Sequence, residues 1–201
     1  MKFRISPRLA LVIIASMFLL PLALAWLMYS GALEFHPVST RNLGQLVEPP
    51  VQVDIKTLTS AAEEVKNLDE LDDHWIVLHV VPEECETPCK SEIAGLRQVH
   101  RAAGRNQSRV RMVMLLRQDQ SAAGLTEIYA SFYLAETSDG MFRASLDDIA
   151  DRYAAAGNSD GSTYLIDPLG NIMMYYVSGF DPNDLKNDLK RLLTWSKLDE
   201  Q

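Results

Sequence analysis

Residues 9–29, LALVIIASMFLLPLALAWLMY, form a run of 21 positions without a charged side chain. As a helix rising about 1.5 Å per residue, the run extends roughly 30 Å, the depth of a bilayer's hydrocarbon core. It therefore reads as a transmembrane anchor, which commits the rest of the chain to one side of a membrane. Lys2, Arg4 and Arg8 precede it without an acidic residue. The positive-inside bias then places residues 1–8 in the cytoplasm and everything after residue 29 outside it. Small residues at Ala23 and Ala25 resemble a signal-peptide cleavage site. The apolar run nevertheless continues past them through Trp26, Leu27 and Met28, longer than a signal core, and Trp26 and Tyr29 fit as interfacial anchors. Pro21 inside the span is tolerable in a membrane helix.

The 201-residue chain carries a formal net charge of −8, and the part beyond the span is more acidic still. Nucleic acid is excluded as a natural partner. An acidic exported domain suits basic proteins or cations, and equally serves plain solubility. Residues 31–53 hold prolines at 37, 49 and 50 and no sustained periodicity, so residues 30–55 read as an extended tether and residues 56–201 as the folded domain.

Within that domain, residues 57–68 allow a short helix, and WIVLHVV at 75–81 is a continuous apolar run of the kind found in strands buried on both faces. Ile93, Leu96, His100 and Ala103 form a helical stripe ending near Gly104. RVRMVMLL at 109–116 reads as a second strand. Residues 124–134 place Leu125, Ile128, Tyr129 and Phe132 on one helical face, and a further helix is expected from Ser145 to Gly157. STYLIDPLGNIMMYYV at 162–177 is a hairpin around DPLGN, followed by a helix capped by Asp181 and opened by Pro182. The order strand, helix, strand, helix, helix, hairpin, helix resembles a thioredoxin-like α/β fold preceded by one transmembrane helix.

The chain's two cysteines, Cys85 and Cys89, follow the first buried strand directly. Pro88 points to a helix with Thr87 as its N-cap, which puts Cys89 in the first turn and Cys85 in the loop before it. Residues four apart on a regular helix have Cβ atoms about 5–6 Å apart, whereas a disulfide needs about 3.5–4.5 Å. A loop cysteine can close that gap or leave it open. The pair can therefore be an inert disulfide, a switch between disulfide and dithiol, or a two-thiolate clamp for one soft metal ion. The helix N-terminus favours a thiolate, while Glu83, Glu84 and Glu86 oppose it and attract cations.

The anchor, the strand leading into Cys85-Glu86-Thr87-Pro88-Cys89, and YLIDPLG at 164–170 together resemble the Sco (SenC) family. These are membrane-anchored thioredoxin-fold proteins that help build the copper site of cytochrome c oxidase. Asn42 to Leu46 with Pro49 and Pro50 resemble a divergent, oxidase-associated branch of small Sco-like proteins. The resemblance implies a single-pass protein of the bacterial inner membrane with its C-terminal domain in the periplasm, or of the mitochondrial inner membrane. Its implied partners are a cytochrome c oxidase subunit or the oxidase's assembly factors. It further implies thiol–disulfide oxidoreductase chemistry through Cys85 and Cys89, with copper as the implied metal at the same two residues. The family's third copper ligand is a histidine a few residues before the YLID strand; here Asn158, Ser159 and Asp160 stand in that place. Thiol exchange on a partner's copper-ligand cysteines therefore fits better than stable copper storage. A non-catalytic, oxidase-associated scaffolding module with a structural disulfide is the alternative.

Gly161 occupies the position of the cis-proline found in many thioredoxin-fold reductases. Of the remaining soft or imidazole ligands, His79 reads as a packed core residue and His100 lies about 16 Å along the helix from Cys89. His36 and His74 read as exposed. Met112, Met114, Met173 and Met174 read as core filling.

Overall fold

The computed structural model describes residues 6–29, 42–61, 66–118, 120–121, 125–128 and 130–196. The chain divides into two units, residues 1–41 and 42–201. In the first, α1 (Pro7–Tyr29) is a single helix with Pro21 inside it. Its segment Pro7–Leu27 has a mean hydropathy of 2.5, long and apolar enough to cross a membrane, and none of it is buried against protein. Lys2, Arg4, His36, the Tyr29 side chain and the tether expected at 30–41 lie outside the described residues.

The second unit is built on a seven-stranded sheet. Its strands are β1 (Gln45–Gln52), β2 (Leu58–Ser60), β3 (Trp75–Val80), β4 (Val110–Leu115), β5 (Tyr133–Thr137), β6 (Thr163–Ile166) and β7 (Asn171–Tyr176), in the spatial order β1-β7-β6-β3-β4-β5-β2. β3, β4 and β5 run parallel, and the other pairings are antiparallel. All six residues of β3 are buried. Trp75 and Val77 face a core shared with α2 (Thr87–Ala102), α3 (Leu125–Ile128) and α5 (Pro182–Trp195). Ile76, Leu78 and Val80 face a second core under α4 (Gly140–Ala154). A strand with helices on both faces has no polar side, which is why its sequence does not alternate. Gly95 lets α2 and α5 meet closely, since a Cβ there would stand 2.6 Å from Pro182 Cγ.

Several boundaries differ from the sequence expectation. Residues 45–52, expected within the tether, form edge strand β1, and the folded unit starts at Asn42 rather than residue 56. The signal is masked because Pro49 and Pro50 donate no ladder hydrogen bond; the register is broken between Leu46 and Val51, a pattern tolerated only at a sheet edge. Within the expected helix 57–68, Leu58–Ser60 pair with β5 instead. The expected helix 124–134 is one turn, α3, and its last residues, Tyr133 and Leu134, belong to β5, paired with Val113 and Met114. Helix α4 starts five residues before Ser145, where Asp139 accepts a hydrogen bond from the Met141 N–H, and ends at Ala155 in the left-handed region rather than at Gly157. The hairpin and the Asp181 cap match expectation. Asp167 Oδ1 accepts from the backbone N–H of Leu169 and Asn171, which fixes the DPLGN turn, and Asp181 accepts from the Asn183 N–H.

A buried carboxylate fastens the start of the folded unit. Asp188 of α5 is 1% exposed, and its Oδ2 accepts from the N–H groups of Leu43 (2.8 Å) and Gly44 (2.9 Å) and from the Tyr176 hydroxyl (3.1 Å). Burial, followed by the nearby Asp188 carboxylate, raises the Tyr176 hydroxyl pKa, so the phenol stays protonated and donating. Replacing Asp188→Ala strands three donors at once and is expected to cost about 3 kcal/mol. Urea denaturation of the detergent-solubilised chain, followed by Trp75 fluorescence, measures the loss; Asp188→Asn, which keeps one acceptor, loses less.

Candidate functional site

β3 delivers the chain to the site, and α2 carries it away. The first helical bond runs from the Lys90 N–H to the Glu86 carbonyl (3.0 Å), which makes Glu86 the N-cap. Thr87, expected in that role, is instead the first helical residue, and Pro88 is the second. There its missing N–H costs nothing, because the first N–H groups of a helix have no intrahelical acceptor. Cys85 therefore sits outside the helix and Cys89 inside its first turn. The two are joined by a disulfide with Cα atoms 5.2 Å apart. Cys85 is partly exposed, while Cys89 is 9% exposed and belongs to the α2–α5 core. The loop before Cys85 is tied down by Gln120, whose side-chain N–H donates to the carbonyls of Pro82 (2.6 Å) and Glu83 (3.3 Å).

Beside the disulfide lies a cavity of about 560 Å³. Pro82, Pro88, Phe180 and Pro182 give it apolar walls, and Glu84, Glu86 and Glu92 bring carboxylates to it. Glu92 was not singled out from sequence, although its place three residues after Cys89 puts it on the same helical face. Burial raises its pKa, against the smaller opposing effect of the hydrogen bond it accepts from the Gly179 N–H (3.3 Å). Phe180 and Pro182 were also missed as lining, because only the fold brings the start of α5 against α2.

Gly161 lines the same cavity. Its φ of +76° is closed to proline, whose ring fixes φ near −65°. Its N–H donates to the Val80 carbonyl (2.9 Å), and a Cβ would stand 2.5 Å from Ser178 Oγ. The cis-proline feature is therefore replaced by a glycine turn, not merely displaced in sequence.

The other candidates fall as follows. His79 is fully buried on β3, on the α2 side of the sheet, and its Nδ1 is 3.0 Å from Thr163 Oγ1. It reads as a core residue, as expected, but it also lines the cavity. His100 is held at the far end of α2, with Nε2 3.2 Å from the Val110 carbonyl. His74 is only partly buried and contacts the Asp72 carbonyl, away from the cysteines. Met112 and Met114 are fully buried core residues. At the place of the family histidine, Ser159 is buried and Asp160 is paired with Arg117 at 2.6 Å. Among the described residues, no group of three or more His, Cys, Asp or Glu side chains could hold a metal ion. The two sulfurs, bonded to each other, are not available as thiolates, and opening them yields only two donors. Two thiolates can clamp one soft ion such as Cu(I), but among the described residues no third His, Cys, Asp or Glu joins them.

The transmembrane-like, thioredoxin-like, C-terminal domain family matches residues 75–196, more than half of the chain. The chain belongs to that family. Among curated proteins no sequence matches it. The fold of this transmembrane-like, thioredoxin-like member is similar to that of apo Sco1 from Thermus thermophilus, at 15% identity over 79% of this chain and 98% of the other, with a TM-score of 0.54. It is also similar to a thioredoxin-family thiol:disulfide interchange protein from Chlorobium tepidum TLS, at 14% identity over 78% of this chain and 99% of the other, with a TM-score of 0.50. A copper-bound ScoI of Arabidopsis thaliana aligns at 14% identity over 64% of this chain and 89% of its own, with a TM-score of 0.47.

Burial lowers the His79 imidazole from its ordinary 6.5 to about 4. The unfolded chain then takes up this proton first as pH falls, so stability is full above about pH 6.5 and declines down to about pH 4. Across that window the loss is on the order of 3 kcal/mol, with nothing further from this group below it. Burial of His100 acts with the same sign, and Glu92, whose pKa burial raises, acts with the opposite one. The His79 share is read by difference: urea denaturation at pH 7, 5.5 and 4 should give a shallower decline for His79→Gln than for wild type.

Proposed function

We propose that this protein is a membrane-anchored, Sco-like accessory protein that acts by thiol–disulfide exchange through Cys85 and Cys89. Its target is a disulfide formed by copper-ligand cysteines of a cytochrome c oxidase subunit, or of an oxidase assembly factor. The observation that carries this reading is the asymmetric pair at the start of α2. One cysteine is partly exposed in a loop and the other is recessed in the first helical turn beside a cavity.

In the dithiol form, the Cys85 thiolate attacks one sulfur of the partner disulfide, and the other partner sulfur leaves as thiolate. The Cys89 thiolate then attacks Cys85 Sγ, the Cys85–Cys89 bond closes, and the second partner sulfur leaves. The partner disulfide is reduced by two electrons and the cysteine pair is oxidised by two. Returning the pair to dithiol takes a second, thiol-bearing partner. Residues 9–29 would hold the protein in the bacterial inner membrane, with residues 56–201, and the preceding strand from residue 45, on the periplasmic side. The acidic residues around the cavity favour a partner segment of basic or neutral character.

The test is a redox titration of the full chain in detergent micelles, combined with a Cu(I) titration of the reduced protein. The expected result is a disulfide that opens and closes reversibly in dithiothreitol buffers. A Cys89→Ser variant should trap a mixed disulfide with a disulfide-bonded peptide, and a Cys85→Ser variant should trap far less. Weak Cu(I) binding by the two thiolates, and no tight stoichiometric binding, is expected, since no third His, Cys, Asp or Glu joins them among the described residues. A pair that stays closed in reductant, with no mixed disulfide, overturns the exchange reading in favour of the scaffolding module. Tight Cu(I) binding lost in Cys85→Ser overturns it in favour of copper carriage.

A further inference from the structure

His79 has one ring nitrogen the fold does not use. Nε2 is fully buried and has no hydrogen-bond partner among the described residues. Leaving a buried polar atom unpaired costs about 1–3 kcal/mol, so such an atom calls for an explanation. The geometry supplies two facts. By the alternation along β3, His79 shares the face of Val77 and Val81, the face covered by Cys89 and Ile93 of α2. It also lines the cavity that Cys89 lines, together with Glu92 and Gly161.

The ring's proton can be placed by counting partners. Thr163 is fully buried, and among the described residues its hydroxyl meets only His79 Nδ1. If Nδ1 carried the hydrogen, both the Thr163 O–H and the Nε2 lone pair would be left without partners. If Thr163 donates to Nδ1, only the Nε2–H is left. The second arrangement strands one group instead of two, so the ring carries its hydrogen on Nε2. Burial keeps the ring neutral at physiological pH, and this N–H is retained without a net charge.

We infer that His79 Nε2–H is a hydrogen-bond donor held in reserve for the Cys89 thiolate, which exists only while the disulfide is open. The inference rests on the exchange reading proposed above. With the disulfide closed, the sulfur is a weak acceptor and Nε2 stays unpaired. In the resolving step, Cys89 Sγ carries the electron pair that forms the bond to Cys85 Sγ. The Cys85–partner bond breaks, and its electron pair leaves on the partner sulfur, which takes a proton from solvent. In the reverse direction, a partner thiolate attacks Cys85 Sγ and the pair returns to Cys89 Sγ. In both directions the anion on Cys89 faces the cavity that Glu84, Glu86 and Glu92 make hostile to negative charge. A fixed donor beneath it offsets that repulsion and favours the open form.

The test uses the full chain in detergent micelles. The thiol–disulfide equilibrium with glutathione is measured for wild type, His79→Leu and His79→Gln, together with the alkylation-derived Cys89 pKa. His79→Leu should shift the equilibrium about tenfold toward the disulfide, equivalent to about 30 mV, and raise the Cys89 pKa. His79→Gln, which carries an N–H donor to the same depth, should lie closer to wild type. Independently of any variant, the 15N shifts of the wild-type ring should show the hydrogen on Nε2, with a change at Nε2 on reduction. A His79→Leu equilibrium equal to wild type, a glutamine variant shifted as far as leucine, or a ring protonated at Nδ1 overturns the inference while leaving the exchange reading intact. A wild-type pair that no thiol opens overturns both.

Discussion

The architecture of the folded unit depends on a strand with no solvent side. Once β3 is apolar on both faces, it must lie inside the sheet with helices above and below, and its parallel neighbour β4 can be reached only by a crossover that begins at the carboxyl end of β3. That crossover is α2. Its N-terminus is therefore placed at the end of the central strand, and the cysteines that straddle this N-terminus inherit the position. The site's position follows from the burial of this strand, of whose six residues only His79 reaches the cavity.

The one ionisable side chain in that strand breaks the apolar pattern, and it breaks it at the cavity. His79 and Asp188 are both buried polar groups on the α2–α5 side of the molecule, but their partners differ. Asp188 places Oδ2 among three donors, contacts already made in the closed state, while its Oδ1 meets only the Arg191 guanidinium at 3.6 Å among the described residues. His79 has only one of its two nitrogens engaged. A group with an unmade bond in one redox form and an acceptor created in the other distinguishes the two forms energetically.

Much of this was legible in the sequence, and the failures have physical causes. β3, α2, the β6–β7 hairpin and α5 were readable because hydrophobic period, proline and Asx signals agreed locally. Edge strand β1 was not, since prolines at 49 and 50 read as coil and their tolerance depends on a neighbour, β7, more than a hundred residues away. β5 was hidden for a related reason: Tyr133 and Leu134 continue a helical stripe from Leu125, and only pairing with β4 draws them into a strand. At the site, the cysteines and Gly161 were visible. The cavity was not, because Phe180 and Pro182 reach it through the packing of α5 on α2. The unpaired nitrogen of His79 is a property of what fails to surround it, and a one-dimensional pattern carries no such information.

The grip of Asp188 on Leu43 and Gly44 also sets where mechanical load enters the domain. In a chain tethered through α1, tension arriving from the N-terminal side meets these two hydrogen-bonded amides before it reaches the first ladder bond of β1. The pull is delivered to α5, which is seated by Leu185, Leu189 and Leu193 in the core, and through Tyr176 to β7. An edge strand interrupted by two prolines would peel readily if pulled from its end. Clamped ahead of its first residue, it is shielded from that force.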